Sequence, residues 1–254
     1  MNIRVIAAAL TVGFALPPAQ SVNAQAAEVK VFSSNAVKTV LEVLGPQFEK
    51  ATGNKAAFTF GTAAELKVQI EKGAAFDAAI LTVAGVDDLI KQGKIVAATR
   101  AELARSGAGV AIRKGAARPD ISTTEAFKRT LLNAKSIGYV EQGATGIYLK
   151  NLFQRLGIAD ELKPKTKLLA ASVGAGPAVA AGDVEISMTQ ISEILPYAGA
   201  ELVGPLPPEI QVYTNFATGV SANSKEPNAA GAWVKFLTTP AAAAVIKAKG
   251  LEPR

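Results

Sequence analysis

The chain of 254 residues contains no cysteine and no histidine. Without cysteine it forms no disulfide, has no thiolate nucleophile and cannot hold a cysteine-bound zinc or iron–sulfur cluster. Without histidine it has no serine–histidine relay, no imidazole base and no histidine-ligated transition metal. These absences exclude the commonest hydrolytic and metal-dependent active sites. We therefore expect neither a metal site nor a cofactor, and we predict that the protein is not an enzyme.

Basic runs and long apolar segments are also scarce. Lys and Arg number 27 against 21 Asp and Glu, and the net charge of +6 is spread along the chain, which favours a solvated surface over a nucleic-acid interface. The exception is Met1–Ala26, which has Arg4, an apolar run at Val5–Leu16 and small residues at Ala24 and Ala26. We predict a cleavable secretory signal peptide at residues 1–26 and export to the periplasm, with a short amphipathic anchor as the alternative.

Candidate strands and helices alternate from residue 28 onward. Short apolar runs typical of buried strands are separated by segments with a helical period, as at Val37, Val40, Leu41, Leu44 and Phe48. This alternation is typical of an α/β fold with parallel sheets. The strands are expected at residues 29–33, 56–60, 77–82, 107–113, 137–140, 168–171, 184–188 and 211–220.

The most informative stretch is Ser136–Gly157. A buried strand at 137–140 is followed by a glycine-flanked turn at 143–146 and then by a helix that Gly157 closes. A strand, a glycine turn and a helix N-terminus present free N–H groups and a positive dipole end to an anion. An ordinary turn without a ligand is the alternative interpretation.

Three further turns between a strand and a helix have a similar composition. Residues 33–36, 61–63 and 172–176 are, like 143–146, built mainly from Gly, Ser, Thr, Asn and Ala. Open α/β sheets bind ligands at the carboxyl ends of their strands. We therefore expect the four turns to surround one polar cleft without charged side chains.

Several motifs resemble those of the periplasmic molybdate-binding proteins that serve ABC importers. The resemblance covers nearly the whole chain after residue 26. The motifs are V-x-V-F at 29–32, Q-F-E-K-A-T-G at 47–53, L-K-V-Q-I-E-K-G-A at 66–74, F-D-A-A-I at 76–80, G-I-Y-L-K at 146–150 and F-L-T-T-P-A-A at 236–242.

The resemblance implies a two-lobed type II periplasmic-binding fold. In this α/β fold each lobe is a mostly parallel sheet flanked by helices, and the ligand cleft lies between the lobes. Lobe I is expected at residues 27–108 and 214–254, and lobe II at 109–213. The lobes are expected to close on the ligand about two crossing segments, near 107–113 and 211–218.

The resemblance also implies a ligand site, but three of its side chains differ. Molybdate binders hold the oxyanion with backbone N–H groups and three hydroxyls, and those hydroxyl positions fall here on Ala36, Ala63 and Met188. We therefore expect a small anionic or oxygen-rich ligand other than molybdate, although core packing is an alternative role for Met188 and a solvated loop for Gln190. The candidate ligand-binding residues are Ser34, Asn35, Ala36, Thr62, Ala63, Thr145, Gly146, Val173, Met188 and Gln190.

Three classes of function occur on folds of this kind or agree with part of the sequence. A monomeric periplasmic receptor that captures a small solute and passes it to an inner-membrane ABC permease agrees with the export signal and the resemblance. An enzyme on the same fold that acts on a small anionic substrate is the alternative. The effector domain of a transcription regulator would require a DNA-binding segment where this chain has a signal peptide. We predict the receptor, and no nucleic-acid partner.

Overall fold

The computed structural model describes residues 26–254. The predicted signal peptide, apart from Ala26, lies outside the described residues. Within them the chain forms ten strands, of which eight overlap the predicted ones, while β8 and β10 were not predicted. The strands are β1 Glu28–Ser34, β2 Lys55–Gly61, β3 Ala78–Thr82, β4 Ala101–Arg113, β5 Ile137–Val140, β6 Thr166–Leu169, β7 Ile186–Gln190, β8 Ala200–Pro205, β9 Tyr213–Val220 and β10 Glu252–Pro253.

Nine α-helices lie in the same part of the chain. They are α1 Lys38–Thr52, α2 Ala63–Glu71, α3 Val83–Lys91, α4 Thr124–Asn133, α5 Ala144–Arg155, α6 Ala159–Leu162, α7 Ala175–Ala181, α8 Pro227–Leu237 and α9 Pro240–Ala248. No single helix among residues 26–254 is long and apolar enough to cross a membrane. The pair α8 and α9 would meet that criterion together, but the two helices are bent by 63° at their junction.

One mixed sheet runs through the molecule in the order β2-β1-β3-β9-β4-β7-β5-β6, with β8 and β10 paired to β4. Strand β1 is parallel to β2 and β3, and β5 is parallel to β6 and β7. Strands β9 and β4 run antiparallel to their neighbours. Because β4 pairs with β9 through its first half and with β7 and β8 through its second half, it belongs to both halves of the sheet.

Each half of the sheet carries its own hydrophobic core. In the first half, Phe48 of α1 meets Trp233 of α8 edge to face, with ring centroids 5.0 Å apart. In the second half, Phe127, Leu152 and Ile186 are buried together. The predicted two-lobed α/β fold class is confirmed. The lobe boundaries near residues 108 and 213 stay a prediction.

Helix α1 shows how the sequence pattern produces the packing. The residues that recur with the helical period, among them Val40, Leu44 and Phe48, are buried. The helix ends at Gly53, whose φ of 75° is left-handed and therefore suits glycine. Its apolar face is thus held against the sheet, and its first turn points toward the ends of the strands.

The carboxyl ends of five strands meet between the two halves. Strands β1, β2 and β3 end at Ser34, Gly61 and Thr82, and β5 and β7 end at Val140 and Gln190. Turns that follow these strands lead into α1, α2, α3 and α5. This convergence places short polar residues and helix N-termini around one space.

Candidate functional site

A small cavity of about 40 Å³ lies where the strand ends converge. A space of this size holds a few heavy atoms, because one water requires about 10–15 Å³ by a comparable measure. The cavity adjoins a wider groove of about 700 Å³, which shares Asn35, Val140 and Ala171 with it. The site therefore has a tight inner part and a roomy outer part.

Nine of the ten candidate residues line the inner cavity. Val173 does not: it is 49% exposed and lines a neighbouring space of about 90 Å³. Whether any of the ten contacts a ligand stays a prediction. The nine are Ser34, Asn35, Ala36, Thr62, Ala63, Thr145, Gly146, Met188 and Gln190.

Three hydroxyls of the first lobe are oriented by their own turns. The oxygens of Ser34, Thr62 and Thr82 each accept a hydrogen bond from a backbone N–H two or three residues further along, at 3.4, 3.2 and 3.2 Å. A hydroxyl that accepts in this way keeps its proton for another partner. Within residues 26–254 none of the three donates to another protein group. They therefore offer O–H donors to the cavity.

The second lobe contributes a hydroxyl and an amide. The side-chain amide nitrogen of Gln190 donates to the Thr145 hydroxyl at 3.0 Å and to the Thr214 hydroxyl at 2.7 Å. The Thr145 proton is then free to donate. Gln190 is only 3% exposed, yet its amide oxygen has no partner among the described residues. Buried polar atoms are nearly always hydrogen-bonded, so this oxygen marks a place for a ligand or water.

Helix α5 begins directly at the cavity wall. Its N-cap, Gly143, makes no side-chain hydrogen bond to the first turn, which leaves the first N–H groups of the helix without that partner. At Gly146 an added Cβ would lie 2.0 Å from the Val140 carbonyl oxygen, so only glycine allows the helix this close to β5. Helix α2 begins at Ala63 on the opposite side of the cavity. Two positive helix ends therefore face the same space.

No Lys or Arg lines the inner cavity in the described part of the chain. Lys38 lies in the outer groove, where its side chain is 45% exposed and 3.9 Å from Glu42. No group of three or more acidic residues within 26–254 is placed to hold a metal ion. The positive potential of the inner cavity thus comes from N–H groups and hydroxyls rather than from charged side chains.

Glu193 is the ionisable residue of the inner cavity. It ends the turn Ile191–Glu193 that follows β7, and its carboxylate accepts a hydrogen bond of 2.7 Å from the Thr189 hydroxyl. Within residues 26–254, no Lys or Arg forms a salt bridge with it. Burial raises the pKa of the Glu193 carboxyl, and hydrogen bonds from Thr189 and the Gln190 backbone only partly offset that rise.

The two lobes touch across the outer edge of the cavity. The side-chain amide of Asn35 donates to the Ala171 carbonyl oxygen at 3.3 Å, although the residues are 136 positions apart. The turns Asn35–Val37 and Ile191–Glu193 also contact each other. Segments from the two halves of the sheet therefore meet at this edge of the inner cavity.

Thr82, Thr189 and Glu193 are the functional candidates that sequence reasoning missed. All three follow or end an apolar run that was predicted as a strand, at residues 77–82 or 184–188. Polar residues at the carboxyl end of a strand were the signal that identified the other turns. Applied to every strand, the same rule would have included Thr82 and Thr189, whereas Glu193 reaches the cavity through the turn Ile191–Glu193 that follows β7.

Comparison with known proteins identifies the family. Residues 29–252 match the model of the bacterial extracellular solute-binding proteins. An aconitate isomerase of Pseudomonas sp. is 31% identical over 229 residues, which cover 88% of this chain and 87% of the relative. A molybdate-binding protein of Escherichia coli is 27% identical, over 95% of this chain and 96% of the relative.

Solved structures agree on the fold. The periplasmic molybdate-binding protein of Azotobacter vinelandii superimposes with a TM-score of 0.74 at 21% identity, covering 88% of this chain and 98% of that chain. The sulfate-binding protein SubI of Mycobacterium tuberculosis superimposes with a TM-score of 0.70 at 15% identity, covering 89% of this chain and 87% of that chain. At these identities the likeness concerns the fold alone.

The prediction that the protein is not an enzyme is wrong, because a relative 31% identical over most of both chains is named as an isomerase. The lack of Cys and His excludes thiolate and imidazole chemistry, but it leaves carboxylate acid–base chemistry open. The resemblance to periplasmic molybdate-binding proteins is confirmed. The chain belongs to the family of bacterial extracellular solute-binding proteins, whose model matches residues 29–252.

Proposed function

We propose that the protein captures a small anion in the inner cavity and passes it to an ABC permease of the inner membrane. The observation that carries this proposal is the orientation of the hydroxyls. Ser34, Thr62 and Thr82 accept hydrogen bonds from their own turns, and Thr145 accepts one from Gln190. Four O–H donors and two helix N-termini then point at one space, an arrangement that suits an electron-rich ligand.

The ligand we infer is an organic carboxylate rather than molybdate. The three positions where molybdate binders carry hydroxyls lie at the cavity wall, but here they are Ala36, Ala63 and Met188. In addition, the carboxyl of Glu193 lies in the cavity, and whenever it is ionised it repels a compact dianion held there. A carboxylate at the end of a longer molecule needs fewer donors and keeps its remaining charge farther from Glu193.

The shape of the site agrees with a ligand of this kind. The inner cavity accommodates one carboxylate group, and the outer groove has room for the remainder of the molecule beside Lys38. The isomerase relative bears the name of aconitate, an unsaturated tricarboxylic acid. Aconitate is therefore the first probe of this site, with its cis and trans forms tested separately.

Conversion of the bound acid is the second candidate function. It is favoured by one specific observation, the carboxylate of Glu193 inside the cavity, and by the isomerase named among the relatives. Capture and conversion use the same cavity. The two functions differ in whether the ligand that leaves the cavity is chemically the one that entered.

Capture is proposed to involve closure of two lobes, 27–108 with 214–254 and 109–213, about β4 and β9. The contact between Asn35 and Ala171 supports this, because it exists only when the turns of opposite lobes meet. Export by cleavage near residue 24 or 26, residence in the periplasm and a monomeric state complete the proposal.

The first prediction concerns ligand class. Calorimetric titration of the purified exported protein is expected to show micromolar or tighter binding of one aconitate isomer. Molybdate is expected to bind at least roughly 1,000-fold more weakly than to a receptor with all three hydroxyls, since each lost bond to a charged group costs about 1.5–3 kcal/mol. Nanomolar molybdate affinity would contradict the proposal. Sulfate serves as the control for a general affinity for anions.

The second prediction concerns closure. Small-angle scattering is expected to give a smaller radius of gyration when the ligand found by calorimetry is present, because the unliganded lobes are free to separate. The Asn35→Ala variant loses the bond across the cleft and is expected to close less completely at the same ligand concentration. Identical curves with and without ligand would show that closure plays no part.

The third prediction concerns Thr145, whose hydroxyl and helix N-terminus both face the cavity. Thr145→Ala is expected to weaken ligand binding by about 1–2 kcal/mol, the contribution of one hydrogen bond. Thr145→Asp is expected to abolish binding, because it places a negative charge among the donors. Thr123→Asp is the matched control, since Thr123 is the N-cap of α4 and does not line the cavity. If both Thr145 variants bind the ligand with wild-type affinity, this turn does not contact the ligand and has only a structural role.

A further inference from the structure

We propose that Glu193 is a catalytic base, and that its carboxylate moves a proton between two carbons of the unsaturated acid bound in the cavity. The inference rests on the proposed function, because it requires a carboxylic acid to occupy this site. It goes further by assigning a chemical step and the residue that performs it. The product would be an isomer of the ligand in which the double bond has shifted.

Glu193 is placed to reach a ligand in the inner cavity. Its side chain lines the inner cavity and also the neighbouring space of about 90 Å³ that contains Lys38 and Tyr197. It therefore lies at the junction between the inner cavity, which fits a carboxylate, and this neighbouring space. The Thr189 hydroxyl, 2.7 Å away, holds one carboxylate oxygen in place.

The inner cavity offers few candidates for a base. Among the residues that line the inner cavity, Glu193 is the one with an ionisable side chain. The chain has neither His nor Cys to serve as a base. A pure receptor for anions gains nothing from an unpaired carboxylate in its cavity, since that charge opposes binding. A carboxylate of raised pKa, in contrast, is a stronger base than an ordinary glutamate.

The proposed step moves one proton and creates a negative charge that the hydrogen-bond donors of the cavity can stabilise. Glu193 takes a proton from the methylene carbon next to a ligand carboxylate, and the electron pair of that C–H bond spreads over the adjacent double bond and the carboxylates. The hydroxyls of Thr62 and Thr145 and the N-termini of α2 and α5 stabilise the negative charge. The protonated Glu193 returns the proton to the carbon at the other end of the allylic unit. No oxidant, reductant or water is consumed.

An unpartnered group on the cavity wall supports the placement of a ligand there. The amide oxygen of Gln190 is buried without a hydrogen-bond partner among the described residues, although its nitrogen is bonded to Thr145 and Thr214. The other titratable groups that line the space beside Glu193 are Lys38 at the start of α1 and Tyr197 after the turn. Burial, followed by the charges of Glu193 and Glu42, raises the pKa of the Tyr197 hydroxyl, so that hydroxyl stays protonated near neutral pH.

The test is proton NMR of the full exported protein with cis-aconitate and, separately, trans-aconitate in deuterated buffer. Wild-type protein is expected to convert one isomer into the other and to exchange its C–H protons for deuterium. Glu193→Gln is expected to slow both processes at least roughly 1,000-fold while calorimetry shows ligand affinity within about tenfold of wild type. Glu49→Gln, which removes a carboxylate from the exposed surface of α1 and lines neither the inner cavity nor the spaces beside it, is the control and is expected to keep the wild-type rate.

The pH dependence adds a readout that a structural role would not produce. The wild-type rate is expected to fall as the pH drops through the pKa of Glu193, because the base becomes protonated. Folding stability depends on pH in the opposite direction from the rate. Because the pKa of Glu193 is higher in the folded state than in the unfolded state, its contribution to stability is lost as the pH rises through the folded-state pKa. The melting temperature of Glu193→Gln relative to wild type should therefore increase with pH. This trend also shows that the variant is folded.

Each other outcome decides against part of the account. Wild-type protein that binds aconitate without conversion or exchange overturns the catalytic role and leaves the proposed capture intact. Wild-type rates in Glu193→Gln overturn the assignment of this residue. Failure of wild-type protein to bind either isomer overturns the inferred ligand, and the catalytic step with it.

Discussion

The site depends on hydrogen-bond donors that the backbone sets in place before any ligand arrives. Parallel strands end together between the lobes, and the helices that follow them direct their first N–H groups into the cavity. The hydroxyls of Ser34, Thr62 and Thr82 accept from their own turns, so their protons remain available. This arrangement attracts an anion without a Lys or Arg in the inner cavity, and it avoids the cost of burying a cation when the site is empty.

Much of this site was predictable because it is built from local sequence patterns. The strand Ile137–Val140 and the helix Ala144–Arg155 were read correctly from an apolar run, a glycine turn and a helical period. The rule that ligands bind at the carboxyl ends of strands, together with the family resemblance, gave ten candidate residues, and nine of these line the inner cavity. Val173 instead lines the neighbouring space, and its contact with a ligand stays a prediction. Bond partners such as Thr214 for Gln190 depend on tertiary packing and could not be predicted.

The chemistry of the site was harder to predict than its location. The absence of His and Cys led to the prediction of a receptor without catalytic activity. A single carboxylate whose pKa is shifted can nevertheless act as a general base. That environment is a tertiary property: burial raises the pKa of Glu193, and burial of one residue cannot be read from its neighbours in sequence. If Glu193, in the turn after β7, acts as proposed, one side chain decides whether the site holds a ligand or changes it. Fold and family alone do not separate these functions.

The most direct test of the central claim is the response of the backbone amides to ligand. In ¹H–¹⁵N correlation spectra of labelled protein, titration with the tighter-binding aconitate isomer should shift the amide signals of Ala63, Thr145 and Gly146 strongly downfield. These amides lie at the helix ends that face the cavity, and a new hydrogen bond to a carboxylate moves a proton signal in that direction. Unchanged signals at all three positions, with shifts confined to other parts of the protein, would contradict the account.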